Sequence, residues 1–296
     1  MSDPLGPELT LDEYQRRAAE TDIEVDGKDP IVPLLGLVGE AGNLVTELKK
    51  KTRPDGIPYG GFEEVVREEM GDVLWYLAAL ARRVGVGLGE VAEANLRKTK
   101  ARWIGDPDRH RLAFDADFGA AEQLPRRFEV KFSAHVDEAG RTYSQMTILG
   151  EEIGDPIEDN SRDEDHYRFH DVFHVAHAAV LGWSPILRSL LERKRKADEE
   201  IDRAEDGARA GVTEEAVASL VFNLARSYDF FEGAEHVDDT ILEAVMAITS
   251  NLEVQAATAF DWEQAILSGY RVWRRLRDND GGTVAVDLDR GSLELV

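Results

Sequence analysis

Four carboxylates interrupt two otherwise apolar stretches of this chain. In LVGEAGNLVTELKKK, residues 37–51, they are Glu40 and Glu47; in VVREEMGDVLWYLAAL, residues 65–80, they are Glu69 and Asp72. A carboxylate among apolar residues costs free energy unless a cation or a donor compensates it. Helix positions three, four and seven apart share a face. Glu40, Asn43 and Glu47 therefore project from one side of the first stretch. Glu69 and Asp72, with Glu68 beside them, project from one side of the second. If the two helices are antiparallel neighbours, these groups converge on one point, and converging carboxylate oxygens are what Mg²⁺ or Mn²⁺ requires. The other reading is a solvated acidic stripe; the apolar neighbours Leu44, Val73, Leu74, Trp75 and Leu77 weigh against it. Gly39, Gly42 and Gly71 are expected to let the helices approach closely beside the ligands, at a cost in helix propensity.

Cations follow. Asn95, Lys98 and Arg102 recur at i, i+3 and i+7 of a later helical stretch, an amide and two cations suited to phosphate oxygens. Lys49, Lys50, Lys51 and Arg53 add a basic patch. Trp75, Tyr76 and Trp103 offer rings on which a nucleobase stacks, or else belong to the core. Together these groups describe a site for a polyphosphate nucleotide carried with Mg²⁺. The metal would lower the pKa of a bound water, and a spare carboxylate, Glu68 or Glu47, would take its proton.

At this point the sequence resembles the MazG-like all-α nucleoside triphosphate pyrophosphohydrolases, over about residues 30–103. GLVGEAGNLVTELKK, EEMGDVLWYLAAL and EVAEANLRKTKARW carry the resemblance, in that order. It implies a Mg²⁺-dependent cut between the α- and β-phosphates, giving nucleoside monophosphate and pyrophosphate, in a homodimer or homotetramer of helical bundles. The family pattern, E-x-x-E then E-x-x-D, maps onto Glu40, Glu69 and Asp72, with Asn95 and Lys98 near substrate. The second acid of the first pair falls on Asn43. An amide oxygen can ligate Mg²⁺ but brings no charge. Glu47 replaces it, or the site holds fewer metals, or the protein is a sensor that binds nucleotide without cutting it.

The elements expected to position these groups are helices. Residues 9–20, 32–52, 62–84 and 88–103 read as four, the first starting near Thr10 or Asp12, with a turn-rich loop at 52–61. Short connections imply an antiparallel four-helix bundle. Residues 1–105 make this first domain, 106–126 a linker and 127–296 a second domain. The second reads as mostly helical α+β, with helices at 163–181, 184–202, 212–230, 238–250 and 261–276. A hairpin around DEAG at 128–149 and two short strands in the tail give a small antiparallel sheet.

The formal charge of −24 argues against sequence-independent nucleic-acid binding, which needs a basic surface. An acidic protein takes a polyanion more readily as its metal complex. With no cysteine, no signal-like start and no run of about 18 apolar residues, the expectation is a cytoplasmic protein without a membrane partner.

One motif of the second half carries chemistry of its own. DEDHYRFHDVFHVAHAAVLGW places His166, His170, His174 and His177 within roughly 80° of one helix face. H-x-x-x-H is a metal-ligand spacing, Asp171 is adjacent, and Glu205, Asp206, Glu214 and Glu215 are candidate partners. A buried hydrogen-bonded stripe is the alternative. With the basic run Arg193–Lys196 nearby, a metal-dependent phosphohydrolase in this half is a further alternative. The half resembles the C-terminal domain sometimes fused to MazG-like domains, which implies architecture only.

Overall fold

The computed structural model describes residues 9–23, 29–53, 59–104 and 111–296. Residues 54–58 of the expected 52–61 loop and 106–110 of the expected linker lie outside them. The chain divides into two compact units, residues 1–99 and 100–296.

The first unit is helical: α1 is Leu11–Ala18, α2 Ile31–Lys51, α3 Phe62–Val84 and α4 Leu88–Trp103, whose last residues, from Lys100, belong to the second unit. Thr10 caps α1, its hydroxyl accepting from the Glu13 N–H at 3.2 Å. Asp12 closes the start of α4 instead, accepting from the Gly89 N–H at 2.9 Å. Gln15 accepts from the Leu88 N–H at 2.8 Å. The contacts Gly36 to Tyr76, Glu40 to Glu69 and Asp72, and Lys51 to Phe62 run in opposite senses along α2 and α3, so the pair is antiparallel.

The expected role of the glycines is corrected. A Cβ on Gly39, Gly42 or Gly71 would meet nothing within 4 Å; the close approach is at Gly36, where a Cβ would lie 2.2 Å from the Tyr76 ring. Gly36→Ala is therefore expected to destabilise the first unit by about 1–3 kcal/mol through overpacking. Gly39→Ala is expected to stabilise the isolated helix pair by about 1 kcal/mol through helix propensity. Chemical denaturation of the two variants checks both signs.

Little of this unit is buried. Ala78, Ala81 and Leu88 form a small cluster with Tyr14 and Ala18 against it, while Leu35, Val38 and Val45 of α2 are 67%, 64% and 66% exposed. Against the expectation of no such segment, α2 is long and apolar enough to cross a membrane by length and composition, with mean hydropathy 1.3. Glu40 and Glu47 sit well inside it, and an ionised side chain at a bilayer centre costs about 3 kcal/mol.

In the second unit β1 (Arg127–Val136), β2 (Thr142–Ile148), β3 (Glu151–Glu158), β4 (Gly281–Asp287) and β5 (Ser292–Leu295) form an antiparallel sheet of order β3-β2-β1-β4-β5. Val130 pairs with Ile148 and Val284, and Phe132 with Met146, giving one apolar face. The helices are α5 (Asp171–Ala176), α6 (Pro185–Leu190), α7 (Glu199–Ala204), α8 (Ala208–Ala225), α9 (Asp239–Ile248) and α10 (Ala259–Asn279). Trp262, Tyr270, Trp273 and Leu276 of α10 are buried in the same core as that sheet face. The fold is mainly α with one small sheet, as the sequence implies.

Four local readings change. Residues 184–202 are two short helices, because the chain turns inward between them so that buried Arg195 reaches Asp206 and Glu253, each at 2.7 Å. The 163–181 segment is a 3₁₀ turn, α5 and a π-helical stretch, His177–Leu181, stopped by Gly182. Gly182 has φ 65°, and a Cβ there would lie 2.2 Å from the Leu112 carbonyl oxygen. β3 was not expected. From residue 111 the stretch read as linker packs into the second unit: Leu124 and Asp115 are buried, and Asp115 bonds the Leu124 N–H, Arg126 and Arg188.

Candidate active site on α2 and α3, and a histidine cluster on α5

Antiparallel packing brings Glu40, Glu69 and Asp72 together, each offering an oxygen within 4.8 Å of the others. Glu40 and Glu69 are half-buried and Asp72 is exposed. One Glu69 oxygen, Oε2, is buried with no hydrogen-bond partner among the described residues. Three convergent carboxylates with an orphaned buried oxygen repel one another in the absence of a cation. Only hard oxygen donors face the point, so Mg²⁺ or Mn²⁺ fits the set. Asn43 joins the group from the side, its amide donating to Glu40 Oε2 at 2.8 Å. The Tyr14 hydroxyl feels the same charge: burial first, and Asp72 second, push its pKa up.

Glu47 does not join the three. Its carboxylate is buried, accepts from Lys50 at 2.5 Å and also bonds the Tyr59 hydroxyl. Lys50, then Tyr59, hold its pKa below the usual carboxylate range. A carboxylate so engaged is a poor base and a poor substitute metal ligand, and Lys50 is committed with it. Glu68 and Lys49 are exposed. Asn95 and Lys98 are exposed on α4, and no hydrogen bond or ion pair ties their side chains to the carboxylates among the described residues. Arg102 leaves the expected phosphate face: it is buried in the second unit, bonded to Glu263 at 2.8 Å, Asp239 at 2.5 Å and the Val237 carbonyl at 2.8 Å. Trp103 lies against the Arg102 guanidinium and the His236 ring.

Trp75 has a definite place. Its indole N–H donates to Thr21 at 2.8 Å, its ring meets Tyr76 edge-on, and both rings line a pocket of about 280 Å³ with Pro33, Ala79 and Arg83. The sequence reading missed this pocket. Of its lining, the sequence singled out only Trp75 and Tyr76, as rings for stacking.

On α5 the histidines divide. His166 precedes the helix, with φ 61°, and is off the shared face. His170 and His174 meet Glu215 of α8, and His174 and His177 meet Glu214, as two overlapping groups with donor atoms within 4.8 Å. His174 lies between the two acids, Nδ1 3.1 Å from Glu214 and Nε2 3.4 Å from Glu215. Burial opposes a charged imidazole there, but the two carboxylates outweigh it and raise the His174 pKa to about 10. Burial raises Glu214, and His174 then His177 more than offset this, leaving it at about 2. Burial chiefly lowers His170. Asp171 lies 3.8 Å from His170. Of the other expected partners, Asp206 serves Arg195, and Glu205 accepts from the Glu253 N–H. Arg195 is therefore closed to phosphate.

Comparison with known proteins agrees with this layout. The MazG nucleotide pyrophosphohydrolase domain matches residues 31–105, and the MazG C-terminal domain matches residues 109–296. The Gene 37 protein of Mycobacterium phage L5 is 35% identical over 103 residues, 32% of this chain and 89% of that protein. Human dCTP pyrophosphatase 1 is 40% identical over 89 residues, 28% of this chain and 52% of the enzyme. The mouse enzyme is 35% identical over 104 residues, 33% of this chain and 61% of its own length. The chain thus spans between half and two thirds of these two mammalian relatives.

Proposed function

This chain belongs to the MazG family of nucleotide pyrophosphohydrolases, and from that premise we propose that its first unit hydrolyses a nucleoside triphosphate between the α- and β-phosphates. The observation that carries the reading is the Glu40–Glu69–Asp72 convergence with its orphaned oxygen. Glu40, Glu69 and Asp72 would hold Mg²⁺, or Mn²⁺. When bound, such an ion supplies charge withdrawal at phosphorus and a more acidic water. Glu68, exposed and next to Glu69, is the carboxylate left to accept the proton of the attacking water. Asn95 and Lys98 would meet phosphate oxygens, with Lys49 adding positive charge. The Trp75 pocket would receive the base. dCTP heads the substrates to try, because the matched mammalian relatives are dCTP pyrophosphatases.

A second copy of this chain is the cover we propose for the apolar face of α2, giving a homodimer or homotetramer. The small buried cluster of the first unit supports this, since so little apolar surface is withdrawn from water within one chain.

Asn43 sets the metal affinity in this account. Asn43→Glu removes the amide donated to Glu40 and adds a fourth carboxylate. Mn²⁺ binding by calorimetry is expected to tighten roughly tenfold or more, because charge count tunes such sites. The reading as a whole is tested by pyrophosphate release from standard and modified nucleoside triphosphates, in Mg²⁺ and in EDTA. Release confined to Mg²⁺ supports it. Metal-dependent binding with no release from any nucleotide would replace it with the sensor reading that Asn43 suggests.

A further inference from the structure

We propose that the second unit binds a divalent transition metal, Zn²⁺ in the first instance, between His170, His174 and Glu215. Two imidazoles and one carboxylate are a donor set for Zn²⁺ and its neighbours rather than for Mg²⁺. Their donor atoms lie within 4.8 Å of one another. His174 Nε2 is 3.4 Å and His170 Nε2 3.7 Å from the two oxygens of Glu215. Ligands held tetrahedrally about 2.1 Å from Zn²⁺ sit about 3.4 Å apart, so little movement is needed.

Both histidines are held from behind. The His170 Nδ1 lies 3.0 Å from the Tyr167 carbonyl oxygen, and its ring stacks on Tyr167 at 4.3 Å. An N–H donated to that carbonyl leaves Nε2 as the lone-pair donor facing Glu215. His174 Nδ1 faces Glu214 Oε1, and the other Glu214 oxygen accepts from Ser184 at 3.1 Å and the Ile186 N–H at 2.9 Å. Carboxylate and carbonyl partners of this kind orient metal-bound imidazoles. His174 is 1% exposed, and among the described residues neither ring nitrogen has a hydrogen bond of good geometry. A buried imidazole with one nitrogen 3.1 Å and the other 3.4 Å from a carboxylate oxygen is a specific signal. Asp171 Oδ1, 3.8 Å from His170 Nε2, is at hand as a further oxygen. The Glu215 side chain is 44% exposed and gives an ion a route from solvent. The π-helical stretch begins at His177, and such stretches recur at functional sites.

The test uses the full chain, stripped with chelator, in a Glu69→Gln background that disables the carboxylates of α2 and α3. Calorimetric titration with Zn²⁺ is expected to show one equivalent, and Co²⁺ to develop visible absorption from nitrogen ligands. Adding Glu215→Gln, or His170→Gln as a second variant, is expected to weaken Zn²⁺ about a hundredfold or more with the far-ultraviolet circular dichroism unchanged. Absence of Zn²⁺ binding in the Glu69→Gln protein overturns the proposal and leaves an ion-pair network around His174. Equal Zn²⁺ affinity with and without Glu215 and His170 also overturns it.

Discussion

Glu69→Gln is expected to lower pyrophosphate release at least about a thousandfold. Glu69 supplies the buried oxygen that has no hydrogen-bond partner among the described residues, so a cation is its natural counterpart. Replacing that oxygen with an amide nitrogen turns an acceptor toward the cation into a donor, while size and helix propensity barely change. Metal stabilisation of a phosphoryl transition state is worth several kcal/mol, and about 4 kcal/mol corresponds to about a thousandfold in rate. Steady-state assays at saturating Mg²⁺ read the effect. Glu47→Gln is the comparison: its carboxylate is committed to Lys50 and Tyr59, so this change acts on the α2 end and its loop rather than on the metal. If the two variants lost activity equally, the distinction drawn between these acids would fail.

Asp115→Asn should cost the second unit about 3–5 kcal/mol at neutral pH, the usual result of removing one partner from a buried ion pair. Asp115 is 1% exposed and bonds the Leu124 N–H at 2.8 Å, Arg126 at 2.5 Å and Arg188 at 2.8 Å; Arg188 is itself 1% exposed. Burial pushes the carboxyl pKa up, but the Leu124 N–H and the two guanidinium groups outweigh it, and the net shift is down. A depressed folded pKa gives stability that is complete above the unfolded value, about 3.9, and is lost as pH falls toward the folded one. The wild type should therefore lose this contribution only below about pH 4, whereas Asp115→Asn lacks it throughout. Calorimetry at pH 7 should show a Tm roughly 10 °C lower for the variant, with the difference shrinking in acid. An unchanged Tm at pH 7 would mean that the arginines find other partners.

The convergence of Glu40, Glu69 and Asp72 was legible because carboxylates among apolar neighbours, at helical spacing on two consecutive helices, share facing sides. The four helices of the first unit follow from the same periodicity. What Gly39, Gly42 and Gly71 do was not legible, since it depends on how α2 is rotated against α3, and one chain's periodicity does not fix that rotation. Glu47 shares a face with Glu40, yet Tyr59, arriving from the following loop, claims it. β3 escaped notice because EEIGDPIE has neither alternation nor β-branched richness; it is an edge strand whose charges and Pro156 suit an unpaired side. In the histidine segment spacing identified His170, His174 and His177. Only tertiary structure selected Glu214 and Glu215 over Glu205 and Asp206, because the first two lie on α8 and the other two in the turn that precedes it, where they serve Arg195 and the Glu253 N–H.

Cleavage between the α- and β-phosphates by the carboxylates of α2 and α3 is the proposal on which the others rest. Phosphorus NMR of the products formed from dCTP and other nucleoside triphosphates with Mg²⁺ tests it most directly. Nucleoside monophosphate and pyrophosphate are expected in equal amounts, absent in EDTA and in Glu69→Gln. Nucleoside diphosphate and orthophosphate, or pyrophosphate formed equally well by Glu69→Gln, would contradict it.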